Sequence, residues 1–184
     1  MSRTMLPSLQ FVFLAGLLAA GSAGVARAAE GGADAGSCRV GVFDSRAVAV
    51  AYAASKAFNE ELALKMKEYR QAKDAGDQEK VKRLEAAGQA GQEQLHLQGF
   101  GTASVLGILD RIKDQLPAIA RQNKVDLIVS KWDIAYRAPA VETVDITEAI
   151  IEPFQPSERT RKIIEDLKGK APVPAEELKN LHCE

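Results

Sequence analysis

Between Ser55 and Leu95 two helical apolar periodicities meet at a run of turn residues, and no other feature of the sequence restricts its fold so strongly. Phe58, Leu62, Met66 and Tyr69 recur at intervals of four, four and three residues, while Glu60, Glu61, Lys65, Lys67, Glu68 and Arg70 fall mostly on other faces. That is the pattern of an amphipathic helix. Asp74-Ala75-Gly76-Asp77 breaks it with turn chemistry, and Val81, Leu84, Gly88, Gly91 and Leu95 then repeat at three, four, three and four. A second helix is therefore predicted to return antiparallel along the first. With the turn centred near Gly76, Phe58 and Leu62 are expected to face Gly91 and Gly88, so that large side chains meet bare backbone. Each arm of roughly 20 residues would reach about 30 Å, with only one stripe satisfied by its mate. The competing arrangement is a compact helical bundle.

Composition agrees with a helix-rich chain. Of 184 residues 46% are hydrophobic but only 5% aromatic, which disfavours an all-β sandwich. The length suits one modest domain. Twenty-four basic against 25 acidic residues leave a net charge of -1, so nothing suggests a surface built to neutralise nucleic-acid phosphates. No nucleic-acid partner is expected.

The first 28 residues read as an export signal. Arg3 is followed by the apolar run Leu9 to Ala20, and Ala26-Arg27-Ala28 places small residues for cleavage between Ala28 and Ala29. A membrane anchor is the alternative, but Gly16, Gly21, Ser22 and Gly24 dilute the apolar stretch and no aromatic belt flanks it. Removing residues 1–28 takes away Arg3 and Arg27 and no acid, which brings the net charge to -3. The expected product is a soluble exported protein with at most peripheral membrane contact. Residues 29–38 form a Gly/Ala/Asp-rich leader with nothing to bury.

Two cysteines, Cys38 and Cys183, stand at opposite ends of the mature chain. In an oxidising compartment they could close one long intrachain loop, or remain unpaired or pair between chains. Ala35-Gly36-Ser37 lacks the bulky aliphatic residue that a lipidated Cys38 would need. His182 beside Cys183 provides too few ligands for a metal site, so no metal or cofactor is expected.

After the leader, Val40 and Val42 mark a short strand, and Asp44-Ser45 offers N-cap chemistry to an apolar helix, Ala47 to Tyr52. Gly99-Phe100-Gly101-Thr102 breaks or kinks the helical run. Val105, Leu106, Leu109, Ile112 and Leu116 resume it, with Pro117 as a further kink and Asn123 as the end. Val125, Leu127 and Val129 alternate as a second strand, Ile134 and Tyr136 as a third, and Asp145-Ile146-Thr147 leads into a short helix that Pro153 ends. Ser157 to Lys168 is a further predicted helix.

The succession Val40-Gly41-Val42-Phe43-Asp44, the long Lys/Glu/Gln-rich hairpin, and then Ile119-Ala120, Val125-Asp126-Leu127-Ile128-Val129, Ile134-Ala135-Tyr136 and Val144-Asp145-Ile146-Thr147 resembles the Skp/OmpH-like periplasmic chaperones. The resemblance spans roughly residues 39 to 152. It implies an α+β fold in which short strands of three chains form a trimeric β body and the antiparallel hairpins project as arms around unfolded outer-membrane proteins. It further implies an ATP-independent periplasmic holdase. The implied division is a β body with packing helices at 39–53 and 103–152, a hairpin arm at 54–102, and a C-terminal extension at 153–184. Val40, Val42, Leu127, Val129, Ile134, Tyr136 and Ile146 are the expected body and oligomer core. Phe58, Leu62, Met66, Tyr69, Leu84, Gly88, Gly91 and Leu95 are the expected hairpin seam. A subunit with three short strands also leaves sheet edges that need a partner, which fits a homotrimer.

Catalysis is not expected. His96 and His182, the only histidines, lack a nucleophile and an orienting acid at a recognisable spacing. The alternative to a holdase is an envelope adaptor that keeps the trimeric body and binds one folded partner.

Overall fold

The computed structural model describes residues 38–180. The Ala28–Ala29 cleavage point, most of the leader, His182 and Cys183 lie outside the described residues. The elements are β1 (Arg39–Phe43), α1 (Ser45–Ala53), α2 (Lys56–Asp74), α3 (Gln78–Gly99), α4 (Leu106–Leu109), α5 (Leu116–Asn123), β2 (Leu127–Ser130), β3 (Glu142–Asp145), α6 (Thr147–Ile151), α7 (Glu158–Lys168) and α8 (Ala175–Asn180). Single 3-10 turns follow α4 and α6.

Local chemistry sets the helix starts. Asp44, Ser55, Asp77 and Ser157 each accept a hydrogen bond from an amide in the first turn of α1, α2, α3 and α7. Gly76, at φ 72°, makes the turn between α2 and α3. Helix α3 ends at Gly99, where the Gly-Phe-Gly run was expected to break it.

Three parallel strands form one sheet in the order β2-β1-β3. The third strand is not the segment of Ile134 and Tyr136, as expected, but Glu142–Asp145. The reason is topological. Strands β2 and β3 flank β1 and run the same way, so after Ser130 the chain must return to the start of the sheet, and residues 131–141 are used for that crossing. Tyr136 accordingly stands 81% exposed. At the start of the sheet Arg39 ties both neighbours to β1, through two 2.9 Å bonds to the Glu142 carboxylate and one to the Lys124 carbonyl.

Within the single chain the core lies against the face of β1 that carries Gly41 and Phe43. Gly41 and Phe43 are buried, whereas Val40 and Val42 are only half-buried. Val129 and Ile134 are half-buried too, and Leu127 is 53% exposed, so of the residues expected in the body and oligomer core only Ile146, 1% exposed, is interior to the single chain. Helices α1 and α6 explain the choice of face. A Cβ on Gly41 would lie 2.7 Å from Ile146 Cδ1 and 3.0 Å from Val125 Cγ2, so the bare backbone at this position is what admits Ile146 onto the sheet. Val48, Ala51, Tyr52, Ile150 and Ile151 complete the centre of the core. Residues from 153 onward, set apart in the sequence as an extension, join it through Phe154 and Ile164.

The α2–α3 pair also differs from expectation. Near the turn Ala72 and Val81 are buried, and Glu68–Lys80 at 2.9 Å and Tyr69–Glu85 at 2.8 Å join the helices. Gly88 and Gly91, however, receive neither Leu62 nor Phe58, because a Cβ at either glycine would meet nothing within 4 Å. Phe58 and Leu95 pack instead against the main core, with the Phe58 ring 5.2 Å from that of Tyr52. The end of the pair away from the turn is drawn into the core, so the seam closes only near the turn.

Two substitutions separate these glycines. Gly88→Ala should stabilise the chain by about 0.5–1 kcal/mol, because the helix gains propensity and the methyl meets open space. Gly41→Val should cost about 1–3 kcal/mol through overpacking against Ile146. Urea unfolding of both variants checks the opposite signs.

Candidate functional site

The middle of the α2–α3 pair presents apolar side chains to solvent. Leu62 is 45%, Met66 43% and Leu64 67% exposed. At 100° per residue Leu62 and Met66 share one face of α2 and Leu64 lies nearly opposite, so both sides of the helix offer apolar contact. Of the expected seam, Tyr69 and Leu84 are half-buried, and Gly88 and Gly91 are exposed beside this stretch.

Both helices of the pair are fixed to the body at the end away from the turn. On α2, Glu61 makes a two-pronged ion pair with Arg111, whose guanidinium carbon lies 4.8 Å from the centre of the Tyr52 ring, and the Tyr52 hydroxyl donates to Glu61. The Arg111 hydrogen bond holds the Glu61 carboxyl below the ordinary carboxylate range. On α3, Gln98 donates to the Ser104 carbonyl at 2.7 Å, and the Val173 amide donates to the Phe100 carbonyl at 2.9 Å. Leu178 of α8, 4% exposed, packs 3.2 Å from where a Cβ of Gly101 would stand. The C-terminal segment thus occupies the break at the end of α3.

Beneath these contacts lies a buried ionic cluster. Asp44 and Arg46 are 2% and 1% exposed, with Oδ2 and Nη2 2.8 Å apart. Asp44 Oδ1 also accepts from the Arg46 amide, Arg46 Nε and Trp132 Nε1, and Oδ2 from Lys131 Nζ. Its own amide donates to Thr147 Oγ1. Arg46 Nη2 donates also to the Leu167 carbonyl in the last turn of α7, and Nη1 donates to the Lys170 carbonyl just beyond it. Burial works to raise the Asp44 pKa, but hydrogen bonds from Arg46, Lys131 and Trp132 together with the Arg46 charge prevail and hold the carboxyl far below the ordinary range. Five donors saturate this carboxylate, which suits an anchor and leaves no lone pair to act as a general base.

The second uncovered surface is the outer face of the sheet. Register places Val40 beside Leu127 and Val42 beside Val129, and parallel neighbours in register point the same way. These four apolar side chains form a band opposite the core, with Thr143 and Asp145 of β3 continuing the face.

The sequence missed several of these residues. Arg46 was the available signal, a lone charge in an otherwise apolar helix, while Leu64 carries none because it lies off the periodic stripe. The partnership of Glu61 with Arg111, 50 residues apart, has no local signature. Among the candidates set aside, His96 packs edge-on against Phe100 at 5.7 Å, and Cys38 is exposed just before β1. Among the described residues no cluster of three His, Cys, Asp or Glu side chains could hold a metal, and no helix is long and apolar enough to cross a membrane. Comparison with known proteins finds no family model, no curated protein and no solved structure that matches this chain.

Asp44→Asn leaves Arg46 buried without its counter-charge and should cost about 3–5 kcal/mol at neutral pH. Because the folded-state pKa is depressed, the carboxylate contributes fully above the ordinary Asp value of about 4 and progressively less as pH falls below it. The stability gap between wild type and variant should therefore narrow steadily below about pH 4. Urea titrations from neutral pH into acid test this, and a gap that stays constant would contradict the assignment.

Proposed function

We propose that this chain is an ATP-independent holdase of the Skp/OmpH-like kind, exported to the periplasm, which binds unfolded proteins, outer-membrane proteins among them, and keeps them from aggregating. In this reading α2 and α3 form an antiparallel hairpin arm, and three copies meet through their sheets to make a β body from which the arms project. The observation that carries the reading is the exposed apolar stretch of Leu62, Leu64 and Met66 on a long charged helix, tied to the body at its base. A client gripped by several such arms needs no deep pocket, because many weak contacts acting together supply the affinity. Exposed edges and the Val40, Val42, Leu127 and Val129 band give the sheet a reason to assemble. The arm is charge-balanced, with eight basic and seven acidic residues between 56 and 85, so binding should depend little on salt.

The test is suppression of aggregation when two unrelated denatured proteins are diluted out of urea into the mature chain, residues 29–184, followed by light scattering. Both clients should be protected, equally well at low and moderate salt. A Leu62→Ser, Leu64→Ser, Met66→Ser variant should fold normally, since these side chains are exposed, yet need about tenfold more chain for the same protection. Protection of neither client would reject the holdase and leave the single-partner adaptor.

A further inference from the structure

The carboxyl ends of β1 and β2 border a cavity that the holdase reading does not use. It measures ≈ 140 Å³ and is bounded by Phe43, Ser45 and residues 128–130 of the sheet, by residues 102–106, and by Leu109 and Asp133. In open sheets with parallel strands, this end is where ligands bind.

Its walls are held in place. The 102–106 stretch is fixed by the Gln98 bond to the Ser104 carbonyl and by the Ala103 amide donating to the Leu97 carbonyl at 3.2 Å. On the sheet side, Ser130 Oγ is engaged by the Trp132 amide. Ser45 is different. It is 2% exposed, and its Oγ is the one buried side-chain polar atom among the described residues that makes no hydrogen bond. A hydroxyl left this way is costly, about 1–3 kcal/mol, and the other buried polar side chains in this region are satisfied. Ser45 is one of the residues that line the cavity.

Size and charge restrict the occupant. An apolar cavity of about 150 Å³ takes one benzene-sized ring. The lining is largely apolar, with hydroxyls at Ser45, Thr102, Ser104 and Ser130, and its one charged residue is acidic, which disfavours anions. We propose that this cavity binds a single uncharged ring bearing one hydroxyl, a phenol in chemical terms, with the ring against Phe43, Leu109 and Ile128 and the hydroxyl on Ser45 Oγ. The ring is supplied by a free small molecule or by a tyrosine side chain of a bound polypeptide. The proposal stands apart from the holdase reading and is tested without any client.

The experiment is a titration of the isotope-labelled mature chain followed by amide NMR shifts, with phenol, toluene, 4-hydroxybenzoate and N-acetyltyrosine amide as probes. Phenol should produce saturable shifts confined to residues 45, 102–106 and 128–130, with a dissociation constant on the order of 1 mM. The benzoate should bind more weakly than phenol. Saturation by N-acetyltyrosine amide as well supports the side-chain source, and saturation by phenol alone supports the free one. Ser45→Ala should weaken phenol by about three- to tenfold and leave toluene unchanged, and Leu109→Trp should fill the cavity and abolish both. Shifts that do not saturate, or a Ser45→Ala variant that binds phenol as the wild type does, would overturn the assignment.

Discussion

Burying Asp44 and Arg46 side by side is the commitment around which the body is organised. Each charge loses its water, and the pair is tolerable only if every lone pair and proton finds a partner. The partners come from far along the chain: Lys131 and Trp132 at the start of the crossing segment, Thr147 at the start of α6, and the Leu167 and Lys170 carbonyls at and just beyond the end of α7. Because Asp44 also caps α1, one carboxylate fixes the end of β1, the start of its helix and the route by which the chain leaves β2. The Arg46 and Lys131 cations lie 4.9 and 4.6 Å from the centre of the single tryptophan ring, which closes the cluster.

From that anchor the two faces of the sheet acquire different fates. The Gly41 and Phe43 face is taken by α1 and α6, because only a glycine at the centre of β1 lets Ile146 approach so closely. On the other face Val40 and Val42 are left only half-buried among the described residues. The α2–α3 pair behaves in a similar way. Its base is drawn to the body by Phe58, Leu95 and the Glu61–Arg111 pair, its turn end is closed by Ala72 and Val81, and the stretch between is left apolar and open. Both uncovered surfaces are consequences of where the chain placed its strongest contacts.

Local and periodic features were legible in the sequence. The N-cap at Asp44, the turn at Gly76, the helices on either side of it and the break after Gly99 all depend on neighbouring residues, and they stand where the pattern puts them. What depends on distant partners was not. Alternation marks Val40 and Val42 as an apolar stripe, but only the close approach of Ile146 to Gly41 shows that the chain's own helices pack on the other face. Ile134 and Tyr136 look like a strand, and only the parallel course of β2 and β3 demands that they serve as a crossing instead. Gly88 and Gly91 fit a helical seam by spacing, yet spacing does not reveal that α2 is pulled toward Tyr52. For the candidate site, the periodic stripe marked Leu62 and Met66 as apolar but assigned them to the hairpin seam, and their exposure, like the roles of Leu64, Arg46 and Arg111, is defined by the fold.

The central claim is that the outer face of this sheet is covered by further copies of the same chain, with the arms projecting from the assembly. The solution mass of a chain of residues 29–184, measured by light scattering over a dilution series with and without reductant, tests it most directly. The account predicts three times the chain mass, persisting on dilution and independent of reductant. A single chain mass at every concentration would contradict it.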